Sequence, residues 1–306
     1  MTIRFDKRAA LVKIESSYGT DSVPTEGANA IRLMNGRITP FEGEVQEREE
    51  LNLDMGQALK DLVGRHCVFE FDVELAGSGV AGTAPAFGPL LRGCGLAETI
   101  VAETSVAYTP VNAAFEGLSA YWFEGTNKTA FIGARGEVEL QLDKMRKARL
   151  HFRLMGIFAS EANATFPTPT LTAWQRALYA TKANVPTFTI DGYAVTANSL
   201  KLRTGNAVRY LERINRQEIP IDDRKPSWEA VIEDVAISTK NFRAMVNGAG
   251  VPLAVVLGTA AGNILTIAAA SCQVQPFSES VDGVDTMITV PANILRDTPD
   301  FSLTFT

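Results

Sequence analysis

Histidine and cysteine, the side chains best suited to acid–base, nucleophilic and metal chemistry, are scarce in this 306-residue chain. The histidines are His66 and His151, and the cysteines are Cys67, Cys94 and Cys272. A Cys–His pair can form a nucleophile, but His66 and Cys67 are adjacent in a strand pattern, where adjacent side chains point to opposite faces. The cysteines are far apart and show no CxxC spacing, so we predict neither a catalytic pair nor a metal site.

A glycine motif of the form GxGxxG occupies residues 77–82. In dinucleotide-binding proteins such a motif brings a pyrophosphate to a helix N-terminus. Here Pro85 and Pro89 follow closely, and the preceding strand pattern alternates acidic and apolar residues. We interpret the motif as a flexible loop and predict no bound cofactor.

Clustered carboxylates, which could bind Mg²⁺ or exchange protons, occur within residues 47–50 and at Asp222 and Asp223. Both clusters lie in predicted turns or exposed strands without a cradle of further oxygen ligands. We expect them on solvated faces or in ion pairs between subunits. No catalytic constellation emerges, so we predict that the chain is not an enzyme.

The composition is that of a globular protein, with 46% hydrophobic and 21% charged residues. The 29 basic and 35 acidic residues give a net charge of −6, which disfavours a broad basic surface for nucleic acid. The odd number of cysteines argues against a disulfide framework and favours synthesis in a reducing cytoplasm. The N-terminus lacks the apolar core of a signal peptide.

Residues 244–278 contain no charged side chain and therefore raise the question of a membrane span. Pro252, Asn263 and four glycines interrupt this stretch. It divides into two apolar runs around a turn at residues 258–263, a pattern that favours two buried strands over a spanning helix. We predict no membrane association.

Alternation with a period of two is the strongest pattern in the chain. Residues 67–75 place apolar side chains on one face and Glu70, Asp72 and Glu74 on the other, and residues 137–143 repeat this with Glu137 and Glu139. Residues 149–154 alternate basic and apolar side chains, so pairing with residues 137–143 would place acids opposite bases.

The order of predicted elements repeats once along the chain. Each half begins with a hairpin, continues with a long strand and one short helix, at residues 89–96 and 239–247, and ends in further strands; residues 55–63 and 173–183 are additional helix candidates. We predict a mainly β fold with two tandem β-sandwich or barrel domains, each with one short flanking α-helix. The predicted divisions are an N-terminal arm at residues 1–28, domains at 29–161 and 173–306, and a linker at 162–172.

Several short runs of sequence resemble one known family. They lie at residues 11–24, 71–95, 189–193, 205–213, 219–226 and 258–266, in the expected order, and the run at 71–95 is the most specific. The chain resembles the major tail proteins, or tail tube proteins, of phages with long non-contractile tails.

The resemblance implies a structural virion protein. Family members stack as rings into a hollow tube through which DNA is ejected, with inner strands joined into a continuous barrel. It also implies a virion tail location, assembly in the cytoplasm of the bacterial host, and contacts with the tape-measure, tail terminator and distal tail proteins. Two tube domains per chain predict trimeric rings with pseudo-sixfold symmetry; hexamers follow if the second half is a decoration. A β-rich virion or surface module that binds a protein or a carbohydrate stays open as the alternative.

Two sets of candidate functional residues follow. An acidic strand face would repel DNA and keep it moving, because basic contacts bind phosphate; it consists of Glu70, Asp72, Glu74, Glu137 and Glu139. The second set would order only when rings stack, and it lies in the N-terminal arm and the loop at residues 77–88: Tyr18, Gly19, Pro24, Gly79 and Gly82.

Overall fold

The computed structural model describes residues 7–48, 55–246, 248–297 and 299–306. The fold is mainly β, which confirms the predicted fold class. The first half contains β1 (Arg8–Ile14), β2 (Leu33–Glu47), β3 (Lys60–Glu74), α1 (Gly88–Gly93), β4 (Leu96–Val101), β5 (Ser105–Pro110), β6 (Leu118–Glu124), β7 (Asn127–Asp143) and β8 (Arg149–Asn163).

The second half has shorter strands and a single turn of 3-10 helix at Phe242–Met245. Its strands are β9 (Thr187–Ile190), β10 (Tyr193–Ala194), β11 (Ala197–Arg203), β12 (Asn206–Val208), β13 (Leu211–Arg213), β14 (Arg216–Glu218), β15 (Ile221–Arg224), β16 (Ser227–Glu233), β17 (Val251–Leu257), β18 (Leu265–Val274), β19 (Ser278–Asp282), β20 (Asp285–Ile294) and β21 (Ser302–Phe305).

Helix predictions were correct at one of four places. α1 begins with a proline in its first turn, which suits a helix start because proline lacks the N–H that would stay unpaired there. In the second half, Asn241 accepts a hydrogen bond from the Ala244 N–H, but the turn is 3-10 and ends at Met245, so the predicted second α-helix is wrong. Residues 55–63 run into β3, and residues 173–183 are mostly irregular, with two β-bridge residues at Tyr179 and Ala180, so neither segment is helical.

The two halves pair their strands in the same order. The first half contains the antiparallel run β2-β3-β8-β7-β6-β1. The second half contains β11-β16-β20-β18-β17-β9. β19 adds to β20 beside the end of β18, as the last part of β7 adds to β8. The predicted tandem duplication therefore has a matching pattern of connections, and the domain boundaries stay predictions.

The two halves are joined through strands as well as through the chain. β7 pairs with β11, and the C-terminal strand β21 lies between β18 of its own half and β5 of the first half. One hydrophobic core runs through both halves, from Phe69 and Phe152 to Trp228 and Ile267. The halves consequently form one hydrogen-bonded body.

The predicted N-terminal arm is part of the sheet from residue 8 onwards, while residues 1–6 lie outside the described residues. β1 pairs with β6, and both of its faces are buried. Ala10 and Val12 pack into the main core, whereas Ala9 and Leu11 pack into a small second cluster. Residues 8–14 thus form a strand whose consecutive apolar residues Ala9 to Val12 are covered on both sides, while the predicted bounds of the arm and its role in stacking stay predictions.

Candidate functional site

The predicted acidic residues lie on one face of the sheet formed by β3, β8, β7, β11 and β16. Along each strand the apolar side chains point into the core and the polar ones point away from it. We call this outward side the polar sheet face. Its charged positions are Glu70, Asp72 and Glu74 on β3; Arg149, His151 and Arg153 on β8; Glu137, Glu139 and Asp143 on β7; Lys201 and Arg203 on β11; and Glu229 and Glu233 on β16.

Acidic and basic strands alternate across the polar sheet face. Glu70 on β3 lies 3.3 Å from the Arg153 guanidinium on β8. One Asp72 carboxylate oxygen contacts His151 Nδ1 at 2.7 Å, and the other accepts a hydrogen bond from Asn35 Nδ2 at 2.8 Å. The acidic face predicted from sequence is thus an ion-paired face with an excess of carboxylates.

Glu74 is held by donors at the end of β3. It pairs with Lys147 Nζ at 2.5 Å and accepts a hydrogen bond from the Ala177 N–H at 3.3 Å. Burial acts to raise the pKa of Glu74, but these hydrogen bonds and the positive charge outweigh burial and lower the pKa below its ordinary value. Glu74 is therefore ionised at neutral pH.

Glu139 lies where the two halves meet. It forms an ion pair with Arg203 across the boundary between β7 and β11, while Glu137 lies opposite Arg153. The leucines between these polar positions pair across the same boundary, Leu140 with Leu202 and Leu142 with Leu200.

Tyr18, predicted as a stacking residue, lies at the junction of the halves. Its hydroxyl donates to the Gly133 carbonyl at 3.0 Å and accepts from the Ile219 N–H at 2.6 Å. The Arg135 guanidinium lies 4.2 Å from the Tyr18 ring and donates to the Ile219 carbonyl at 3.1 Å. Burial raises the pKa of Tyr18. This residue joins the N-terminal segment to both halves of the same chain.

The two other candidates in the arm also make contacts within the chain. Gly19 donates to the buried carboxylate of Glu15 at 2.6 Å, and Pro24 is buried. Glu15 accepts two more hydrogen bonds, from Ser119 Oγ and the Gly133 N–H. Sequence reasoning missed Glu15, because a single carboxylate in an irregular segment carries no local signal of burial.

The loop at residues 77–88 packs against the second half. Gly77 donates to Asn263 Oδ1 at 2.8 Å, and Gly79 donates to the Gly262 carbonyl at 2.9 Å. Gly82 has a φ of +70°, and a Cβ there would lie 2.3 Å from the Glu103 nitrogen, so only glycine fits. The loop is anchored inside the chain, and its role in stacking stays a prediction.

Arg224 and Asn206 fasten the second half to the first. The Arg224 guanidinium contacts Asp300 at 2.8 Å and donates to the Val111 carbonyl at 2.8 Å. Asn206 Nδ2 donates to the carbonyls of Cys94 and Gly136. Since buried polar groups need partners, these contacts stabilise one relative placement of the halves.

The groups considered for chemistry have structural partners. Asp222 pairs with Arg209, and Asp223 lies 3.4 Å from Lys225 Nζ, at the edge of a cleft of about 610 Å³. His66 stacks on the Tyr210 ring, and burial raises the pKa of Cys67 to about 12. Within the described ranges, there is no group of three or more His, Cys, Asp and Glu side chains that could hold a metal ion. Over the same part of the chain, every helix is too short or too polar to span a membrane.

Several strands present an open backbone edge, among them β2 and β19. Across the described part of the chain, β2 pairs only with β3, and β19 pairs only with β20. Apolar side chains are exposed beside both edges: Phe41 is 59% and Val281 75% exposed. An open edge with apolar neighbours is a site for pairing with another chain.

Comparison with family models identifies the class of protein that this chain is similar to. A family model described as phage tail tube protein matches residues 6–302. No curated protein matches the chain.

Proposed function

The chain belongs to the phage tail tube protein family, and on that premise we propose that it closes into rings that stack into the hollow tube through which phage DNA is ejected. As a member of this family it is a structural component of the virion tail, in a family that is generally non-enzymatic. Membership also implies self-assembly and association with other tail proteins. The proposed ring closure, symmetry and lumen are supported by the pairing of the strands and by the charges on the polar sheet face.

The boundary between β7 and β11 carries the proposal. There the end of β7, beyond the part that pairs with β6, pairs with β11, the first strand of the second half's matching run. β2 is the counterpart of β11, and β19 is the counterpart of the end of β7, yet both have an open edge. Repeating the boundary between copies pairs β19 of one copy with β2 of the next and closes a ring.

Buried aromatic residues set the correspondence between the halves. Phe69 in β3 pairs with Leu154 in β8, and Trp228 in β16 pairs with Ala292 in β20. Val68, the residue before Phe69, pairs with Thr39 of β2, and Ser227, the residue before Trp228, pairs with Arg203 of β11. The two sheets can therefore be compared position by position.

Counting along the strands from these positions shows which residues of β19 correspond to residues of β7. Three residues before Leu154 and Ala292 stand His151 and Thr289, which pair with Glu139 and Ser278. Three residues further on, Leu142 in β7 corresponds to Val281 in β19. Leu142 is 4% exposed because β11 covers it, whereas Val281 is 75% exposed. In the proposed ring, the β2 strand of another copy covers Val281.

A trimeric ring fits this arrangement. Each chain supplies two matching runs of strands, one joined to the other inside the chain, so three chains supply six runs. The pseudo-sixfold trimer is therefore favoured over a hexamer, in which twelve runs would have to close.

The polar sheet face is the proposed wall of the lumen. It combines eight carboxylates with four Lys and Arg side chains on its five strands. Ion pairing between neighbouring strands leaves few free cations to bind phosphate, and the excess negative charge repels the duplex. Glu70, Asp72, Glu74, Glu137 and Glu139 would all contribute to this wall.

The substitution Val281→Lys tests ring closure. A charge at a position that must be buried between copies should abolish rings and tubes seen by negative-stain microscopy, while the circular dichroism spectrum and thermal midpoint stay unchanged. Val284→Lys is the matched control, since Val284 is 97% exposed at the tip of the same hairpin and has no counterpart inside a sheet. Normal tubes from Val281→Lys would overturn the proposed closure.

A double charge reversal tests the lumen. Glu70→Lys combined with Glu137→Lys flanks Arg153 with two new cations on the polar sheet face. Virions that carry both changes should assemble tails but eject DNA more slowly. Ejection at the normal rate from such virions would refute this placement of the face.

A further inference from the structure

Two arginines occupy corresponding positions in the halves. Arg65 lies three residues before Val68, which pairs with Thr39 of β2. Arg224 lies three residues before Ser227, which pairs with Arg203 of β11. Arg65 forms an ion pair with Glu161 at 3.2 Å, and Arg224 forms one with Asp300 at 2.8 Å.

The two arginines differ in what lies beyond the ion pair. Arg224 continues into the first half, donating to the Val111 carbonyl at 2.8 Å and to Asn112 Oδ1 at 3.0 Å. Arg65 instead donates within its own half, from Nε to the Pro40 carbonyl at 3.0 Å. Its guanidinium lies between the rings of Phe41, at 4.2 Å, and Phe158, at 3.5 Å. We call Phe41, Arg65 and Phe158 the Phe41 surface.

The side chains near the two arginines also differ in their exposure to solvent. Thr204 and Asn206, which flank the turn after β11, are 1% and 8% exposed because the first half covers them. Counted from Thr39, the counterpart of Arg203, Phe41 corresponds to Gly205 between these two residues, and Phe41 is 59% exposed. A large apolar ring stacked on a cation is a typical anchor of a protein interface.

We propose that the Phe41 surface is a subunit contact that receives the second half of the next copy, against residues 248–250. This inference rests on the proposed ring and names the surface, beyond the paired strands, that fastens one copy to the next. The proposed partner of the Phe41 surface is a second copy of this chain. At the corresponding surface around Arg224, the other half of the same chain already makes the contact.

Residues 248–250 are identified by the same correspondence. Inside the chain, the segment just before β6 meets the second half: Arg135 binds the carbonyls of Phe115, Glu116 and Ile219. β17 pairs with β18 as β6 pairs with β7, so its preceding segment is residues 248–250. That segment is exposed and consists of Gly248, Ala249 and Gly250. Its small side chains leave the backbone open to a flat ring and its carbonyls open to a guanidinium.

The contact is tested first by removing the ring. Phe41→Ser should raise the protein concentration needed for tube formation about tenfold, as expected for loss of an interface anchor, with an unchanged thermal midpoint. Ile100→Ser is the matched control, since Ile100 is 53% exposed on β4, a strand that belongs neither to the Phe41 surface nor to residues 248–250. Equal assembly of both variants and the unaltered protein would overturn the proposal.

Crosslinking tests the partner segment. Phe41→Cys and Ala249→Cys in one chain, treated with a short bis-maleimide in assembled tubes, should give linked dimers and trimers on denaturing gels; the native cysteines are buried. Each single-cysteine variant is a control and should stay monomeric. Tubes without crosslinks above the single-variant level would overturn this contact and leave the proposed function standing. Failure of the unaltered protein to form rings or tubes would overturn both.

Discussion

The boundary between β7 and β11 and the open edges of β2 and β19 are corresponding places with different surroundings. At the boundary, Leu142 is buried, Arg203 pairs with Glu139, and Arg224 reaches the other half. At the open edges, Val281 and Phe41 are exposed. In the proposed ring, the next copy would cover these exposed apolar side chains, as β11 covers Leu142 inside the chain.

The largest effect on stability should come from the arginine on the joined side. Arg224→Met leaves Asp300 as an unpaired carboxylate that is 11% exposed, and breaks the contact with the first half. We expect a loss of about 3 kcal/mol in the free energy of unfolding, the usual cost of breaking a buried ion pair. Chemical denaturation of the dispersed protein measures it.

Arg65→Met is the comparison for this variant. Its partner Glu161 is 44% exposed, so the loss in the dispersed protein should be about 1 kcal/mol or less. An equal loss in the free energy of unfolding for Arg224→Met and Arg65→Met would contradict the proposed difference between the boundary of the two halves and the open edges.

A smaller effect is expected for Tyr18, which also lies on the joined side. Tyr18→Phe removes the acceptor of the Ile219 N–H and should lower the free energy of unfolding by about 1 kcal/mol. Tyr179→Phe, at an exposed tyrosine, should change it by less than about 0.5 kcal/mol.

The pH dependence of the Tyr18 effect has a definite sign. Because burial raises the pKa of Tyr18 above its ordinary value of 10.0, the stabilisation is complete below pH 10.0 and is lost as pH rises through the higher value. The unaltered protein and Tyr18→Phe should therefore approach one another in stability in alkali. A constant difference up to strongly alkaline pH would contradict the assigned role of the hydroxyl.

The smallest effect is expected from introducing the ion pair of the boundary between β7 and β11 at the open edges of β2 and β19. Thr39 and Ser278 correspond to Arg203 and Glu139, which form an ion pair. Thr39→Arg with Ser278→Glu should add about 0.2–1 kcal/mol to each contact between copies and lower the assembly concentration up to about fivefold. Light scattering during assembly measures this change.

Each single substitution serves as the control and should help little, since it adds one charge without its partner. The gain of the double variant should also shrink at high salt. A double variant that assembles no better than the singles would argue for another strand register between copies.

Local patterns were sufficient to predict most strands and their faces. Apolar and polar residues alternate over residues 69–74 of β3, 137–143 of β7 and 149–154 of β8, because one side of the sheet there is core and the other is not. Prediction failed for β1, where both faces are buried and no alternation exists, and for residues 173–183, where Trp174 and Ala177 are buried from an irregular segment and not from a helix. The ion pairing of Glu70 with Arg153 was anticipated only as a possible strand pairing of acids with bases.

The sequence by itself determined the mainly β fold, the acidic and basic strands and the repeated order of elements, because these follow from residue types at short spacing. The tertiary structure alone decided which strands are neighbours, that Tyr18 and Arg224 join the halves, and that Phe41 and Val281 lie beside open edges. These features depend on contacts between residues up to two hundred positions apart. Spacing along the chain holds no record of such contacts, since any of several strand orders would bury the same apolar faces.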